Sequence, residues 1–60
     1  MKYNNLYSEL LSAGCYIVRN GGNHDIWYSP ITDNKMAIPR HGSHEVPTGM
    51  EKKIRRVMGI

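Results

Sequence analysis

The feature that most constrains this chain is a four-residue break, Asn20-Gly21-Gly22-Asn23, set between two short apolar runs. Gly and Asn tolerate the positive φ that tight hairpin turns demand, so the chain is expected to reverse here. Ahead of the break, Cys15 to Arg19 contains the β-branched pair Ile17 and Val18, which favours a strand over a helix. After it, His24 to Tyr28 reads as the return strand. Pro30 ends that strand and Asp33-Asn34 marks a second turn. Lys35 to Ile38 then forms a third strand, stopped by Pro39, which has no ladder donor. Strands joined this way make an antiparallel meander.

A helix is expected on each side. Over about residues 4–13, Leu6, Leu10 and Leu11 recur at helical spacing with Tyr3 and Tyr7 alongside. Asn4 or Asn5 is suited to cap its start, and Gly14 to stop it. Near the C-terminus, Thr48-Gly49-Met50-Glu51 fits a capping box. The helix that follows runs to about Met58, with Gly59 as its stop and Met50, Ile54, Val57 and Met58 as its apolar stripe. His41 to Pro47 is a loop. The expected class is therefore α+β, with the order α-β-β-β-α and two helices covering one face of a three-stranded antiparallel sheet. The other face stays open to solvent or a partner. The same order is found in the double-stranded-RNA-binding domain.

At 60 residues the chain supports one domain, residues 1–60, with a small core. Cys15 is the sole cysteine, so no internal disulfide is available, and it reads as a small buried hydrophobe. No signal-like or membrane-spanning apolar run is present, and a soluble, cytoplasmic protein is expected. The net charge is +3, and four of the eight basic residues (Lys52, Lys53, Arg55 and Arg56) lie in the last nine positions. Such a cluster is either a solvated helix face or a phosphate-facing patch.

Little else in the chain can do chemistry. His24 follows the glycine turn, and Arg40-His41 follows the third strand. His24 reads either as an ordinary strand-edge histidine or as a proton carrier beside a turn whose glycines, Gly21 and Gly22, permit close approach of a ligand backbone. His41 and His44 have H-x-x-H spacing. Structural zinc sites usually need four ligands, commonly thiolates, and neither Cys15 nor the carboxylates complete such a pattern, so no metal or other cofactor is expected. Trp27 and Tyr28 point to opposite sides of their strand, one into the core and the other onto the open face, and sequence does not say which.

Taken together, these residues resemble HicA, the toxin component of HicA–HicB toxin–antitoxin modules. The likeness runs from the leucine-bearing first helix ending at Gly14, through Gly22-Asn23-His24 and Pro39-Arg40-His41, to a closing helix with Thr48, Ile54 and a terminal Gly59-Ile60. It covers nearly the whole chain. The resemblance implies a small mRNA-cleaving toxin with a dsRNA-binding-domain-like fold, neutralised by a HicB-like antitoxin. It also implies that His24 carries the activity. The usual family motif is glycine-serine-histidine, and Asn23 stands here in place of the serine, so no serine hydroxyl role carries over.

RNA cleavage without a metal needs a base for the 2′-OH, a proton for the leaving 5′-oxygen, and positive charge near the phosphorane. Imidazole, which ordinarily titrates at about pH 6.5, suits the proton transfers. Arg or Lys suits the charge. The expected assignments are His24 as general base, Arg40 as phosphate contact and His41 as a possible second proton carrier. Lys52, Lys53, Arg55 and Arg56 are expected on the RNA backbone, and Gly21, Gly22 and Asn23 as the close-approach turn. Two rivals stand beside this reading: a non-catalytic RNA-binding module of the same fold, and a pure protein-interaction domain using the open face.

Overall fold

The computed structural model describes residues 1–60, in the order α1 (Tyr3–Ser12), β1 (Tyr16–Asn20), β2 (His24–Ser29), β3 (Asn34–Pro39) and α2 (Thr48–Met58). The three strands form one antiparallel sheet with β2 at its centre. The α+β class, the element order and the meander expected from sequence are all present. No helix is long and apolar enough to cross a membrane.

Alternation along β2 sets the two sides of the sheet. Asp25, Trp27 and Ser29 are buried, while His24 is exposed and Ile26 and Tyr28 are half-buried. Trp27 joins Tyr3, Leu6 and Leu10 of α1, Ile38 of β3, and Ile54 and Met58 of α2 in a single core that also holds Cys15 and Val46. Both helices therefore lie on the Trp27 side. Cross-strand partners share a face, so Tyr16 and Arg19 of β1 and Lys35, Ala37 and Pro39 of β3 stand with His24, Ile26 and Tyr28 on the uncovered side. This resolves the two aromatics: Trp27 is the core ring and Tyr28 belongs to the open face. A bulge between Ile17 and Arg19 breaks the register of the exposed edge strand β1.

Several local expectations need correction. Leu11 is 58% exposed and lies outside the apolar face of α1, which consists of Tyr3, Leu6 and Leu10 with Tyr7 at its margin. Neither Asn4 nor Asn5 caps α1. The helix starts earlier, with Lys2 at the cap position and no side-chain cap bond. The loop expected over His41–Pro47 does that work instead. The carbonyls of His44 and Gly42 accept the free N–H groups of Tyr3 and Asn4 at 3.0 and 2.9 Å, taking up donors that the first turn of a helix leaves unpaired.

The capping box at Thr48 is likewise absent. Pro47 occupies the cap position, its carbonyl accepts the Glu51 N–H, and the Glu51 carboxylate pairs with Arg55 at 2.9 Å. At the other end of α2, the last residue of β2 and the turn that follows it supply hydroxyl donors. Ser29 Oγ donates to the Met58 carbonyl at 2.6 Å and Thr32 Oγ1 to that of Val57 at 2.5 Å. Gly14 and Gly59 are the helix stops expected, both at positive φ (97° and 77°).

Candidate active site

The turn that carries His24 is built differently from a positive-φ hairpin. Neither Gly21 nor Gly22 has positive φ, and the left-handed non-glycine residue of the chain is Asp33, in the second turn. Gly21 is required for space instead. Its N–H donates to the His24 carbonyl at 2.8 Å, and a Cβ on Gly21 would sit 2.5 Å from that same oxygen. Gly22 has nothing within 4 Å of a Cβ position and is open to approach.

Asp25 holds this turn. It is 7% exposed, and burial of a carboxylate requires partners. Its Oδ1 accepts from Asn20 Nδ2 at 3.2 Å and Arg40 Nη2 at 2.9 Å, and its Oδ2 accepts from Arg40 Nε at 3.2 Å. Arg40 Nη2 also donates to the Gly21 carbonyl at 2.5 Å, and the Arg40 N–H donates to the Asn23 carbonyl at 2.9 Å. Both ends of the turn and the start of β2 are thus tied to one residue: the Arg40 guanidinium holds Gly21 and Asp25, and its backbone N–H holds Asn23. The exposed His24 imidazole stands clear of these bonds, which are made around it rather than by it. Sequence reading passed over Asp25. Its signal was an acid in the buried phase of the β2 alternation, which needs a cation within reach.

Arg40 is therefore a structural partner on the helix side of the sheet, while His24 projects from the opposite side at the same end. Arg40 is still half-exposed, and its Nη1 has no protein partner. His41 lies farther round toward α1. Its ring packs edge-on to Tyr3 (centroids 6.1 Å apart) and stacks on His44 at 5.2 Å and 13°. Such stacked rings present faces, not nitrogens, to each other. No three His, Cys, Asp or Glu side chains come together anywhere in the molecule. Tyr7 braces the same corner. Its hydroxyl donates to the Pro39 carbonyl and accepts from the His41 N–H, its ring stacks on Trp27 at 5.7 Å, and burial pushes its phenol up from the ordinary tyrosine range.

The basic residues of α2 do not reach His24. Ile54 and Met58 turn toward the sheet, which leaves Lys52, Lys53 and Arg56 exposed on the outer helix layer, away from the uncovered sheet face. Arg55 is engaged by two carboxylates. Glu9 meets it at 3.0 Å and Glu51 at 2.9 Å, and the hydrogen bonds it donates to both raise its pKa further. Of the residues expected to act together, the fold gathers Gly21, Gly22, Asn23 and His24 at one end of the sheet, with Arg40 directly beneath them.

Residues 3–60 match a family model described as the HicA toxin of bacterial toxin–antitoxin. No curated protein and no solved structure matches the chain significantly.

Proposed function

The chain belongs to the HicA toxin family, and from that premise we propose that it is a metal-independent endoribonuclease that cleaves mRNA with His24 as general base. The observation that carries this reading is the position of His24: exposed on the uncovered face, beside a turn held in place by the ion pair of buried Asp25 with half-exposed Arg40. His24 takes the proton of a 2′-OH, the freed oxygen attacks the adjacent phosphorus, and the bond from phosphorus to the 5′-oxygen breaks. The products are a 2′,3′-cyclic phosphate and a 5′-hydroxyl. Solvent, which reaches this open site freely, supplies the proton to the leaving oxygen. Gly22 leaves room for the RNA backbone, and the free Nη1 of Arg40 is available to a phosphoryl oxygen at the rim.

The partner is a HicB-like antitoxin that inhibits by covering the sheet and the His24 surface. Lys52, Lys53 and Arg56, on the outer layer, raise RNA affinity through long-range attraction and are screened by salt.

The test is cleavage of end-labelled RNA in EDTA by wild type and His24→Ala, with analysis of product ends. Cyclic-phosphate products from wild type and none from the variant are expected. Equal cleavage by both proteins would remove His24 from the chemistry. Loss of wild-type cleavage in EDTA would remove the metal-free mechanism. RNA binding without any cleavage would favour the non-catalytic module.

A further inference from the structure

The uncovered sheet face carries more than His24. Tyr16 and Tyr28, directly paired across β1 and β2, place their ring centroids 5.5 Å apart at 59°. Tyr16 is 49% exposed, so its ring is open to a ligand on the solvent side. The Tyr28 hydroxyl donates to Asp33 Oδ1 at 2.8 Å, which fixes the ring and raises its pKa. Arg19 pairs with Ile26 and Lys35 with Tyr28 on this same face. Neither cation forms a salt bridge. The acid at the margin is Asp33, held by Tyr28, and Asp25 lies on the other side, bound to Arg40.

We infer that this face is a binding platform for single-stranded RNA, with bases stacked on Tyr16 and Tyr28 and phosphates met by Arg19 and Lys35. The inference rests on the RNA-cleaving reading of His24 and names the form of substrate that reading leaves open.

Three observations favour a single strand over a duplex. Exposed rings accept only bases that are not already stacked in a helix, and aromatic stacking tolerates any base. The exposed cations of α2, which a duplex-binding surface on the helix layer would use, face away from His24. Attack by a 2′-oxygen also requires it to line up with the departing 5′-oxygen, a geometry that a flexible strand reaches and a regular duplex does not. His24 and Tyr28 are four residues apart on one strand face, about 13 Å at roughly 3.3 Å per residue. A strand laid along β2 therefore presents a base to Tyr28 while a phosphodiester lies at His24. Charge complementarity argues for RNA here, because the exposed ionic groups of the platform are cationic except for the engaged Asp33.

The test uses the full chain and a fluorescent 2′-O-methyl RNA, whose 2′-oxygen has no proton to lose, so that binding is read without cleavage. Anisotropy titrations compare the single strand with its duplex, against wild type, Tyr16→Ala, Tyr16→Phe, Arg19→Gln, Lys35→Gln and the triple variant Lys52→Gln, Lys53→Gln, Arg56→Gln. Tyr16 is half-exposed, so its loss leaves the core intact.

The expected result is tighter binding of the single strand than of the duplex. Tyr16→Ala should weaken the single-strand complex roughly fivefold or more, while Tyr16→Phe retains it. Arg19→Gln and Lys35→Gln should each lower the salt dependence of binding. Tighter binding of duplex overturns the inference, as does single-strand binding that survives Tyr16→Ala but fails in the triple α2 variant. If wild type cleaves RNA yet its binding ignores Tyr16, only the platform falls, and a protein partner becomes the occupant of that face. If wild type neither binds nor cleaves RNA, the RNA-cleaving reading falls with it.

Discussion

Asp25 occupies a β2 position whose alternating partners, Trp27 and Ser29, are buried, and it meets the cost of burial with three side-chain hydrogen bonds. Asp25→Ala removes the acceptor for Arg40 and Asn20 together. It is expected to destabilise the fold by about 1.5–3 kcal/mol, the range for hydrogen bonds to charged groups, and no more than that, since Arg40 is half-exposed and can turn to water. Urea denaturation measures this, and a loss within about 0.5 kcal/mol, as at an ordinary surface site, would contradict the central place given to Asp25. The two neighbouring glycines separate in the same way. Gly21→Ala forces a Cβ against the His24 carbonyl and should cost on the order of 1 kcal/mol or more, whereas Gly22→Ala, with open space around it, should stay within about 0.5 kcal/mol. Similar effects at both positions would mean that the turn is not held as described.

The strands and helix stops were legible because their signals are local. β-branched and aromatic runs, Pro30, Gly14 and Gly59 each act on the few residues around them. The helix caps were not legible, because their partners come from far along the chain. Tyr3 finds the carbonyl of His44, and Met58 finds the hydroxyl of Ser29. A capping-box pattern at Thr48 matched in sequence, yet Pro47 fixed the helix start one residue earlier and Arg55 drew Glu51 away. A stability comparison exposes the difference. Thr48→Ala should change the unfolding free energy by less than about 0.5 kcal/mol, because no cap bond is lost. Ser29→Ala should cost about 1–2 kcal/mol, because it strips a fully buried donor from the end of α2. The reverse order would restore the capping box. Around the candidate site, the turn ahead of His24 was legible in the sequence, but not which sheet face each residue takes. Arg40 and His24 are adjacent in the site as read and on opposite sides of the sheet as folded, a consequence of pleat and register alone.

At the scale of the whole molecule, a 60-residue chain with 11 buried residues has little stability in reserve, so its ties between distant segments matter. Arg55 joins α2 to Glu9 of α1, and the N-terminal ammonium meets Glu45 at 3.0 Å. The guanidinium of Arg55 holds the Glu9 carboxyl below its usual range, and the N-terminal ammonium does the same for Glu45. A carboxyl depressed on folding stabilises above its unfolded pKa, and that contribution is lost as pH falls through the folded value. The melting temperature should therefore hold near neutrality and decline below about pH 4, with a shallower decline in Glu9→Gln. Melting curves from pH 7 to pH 3 check this, and identical pH profiles for the two proteins would show that the Glu9–Arg55 tie contributes nothing. The same layered build separates the uncovered sheet face, which holds His24, from the exposed cations of α2. The claim on which the functional account depends is that this exposed histidine is the catalytic base. Single-turnover cleavage of a labelled RNA by wild type and His24→Ala, at matched melting temperature, tests it most directly. The account predicts a rate lower by roughly a hundredfold or more in the variant; rates within a few-fold of each other would contradict it.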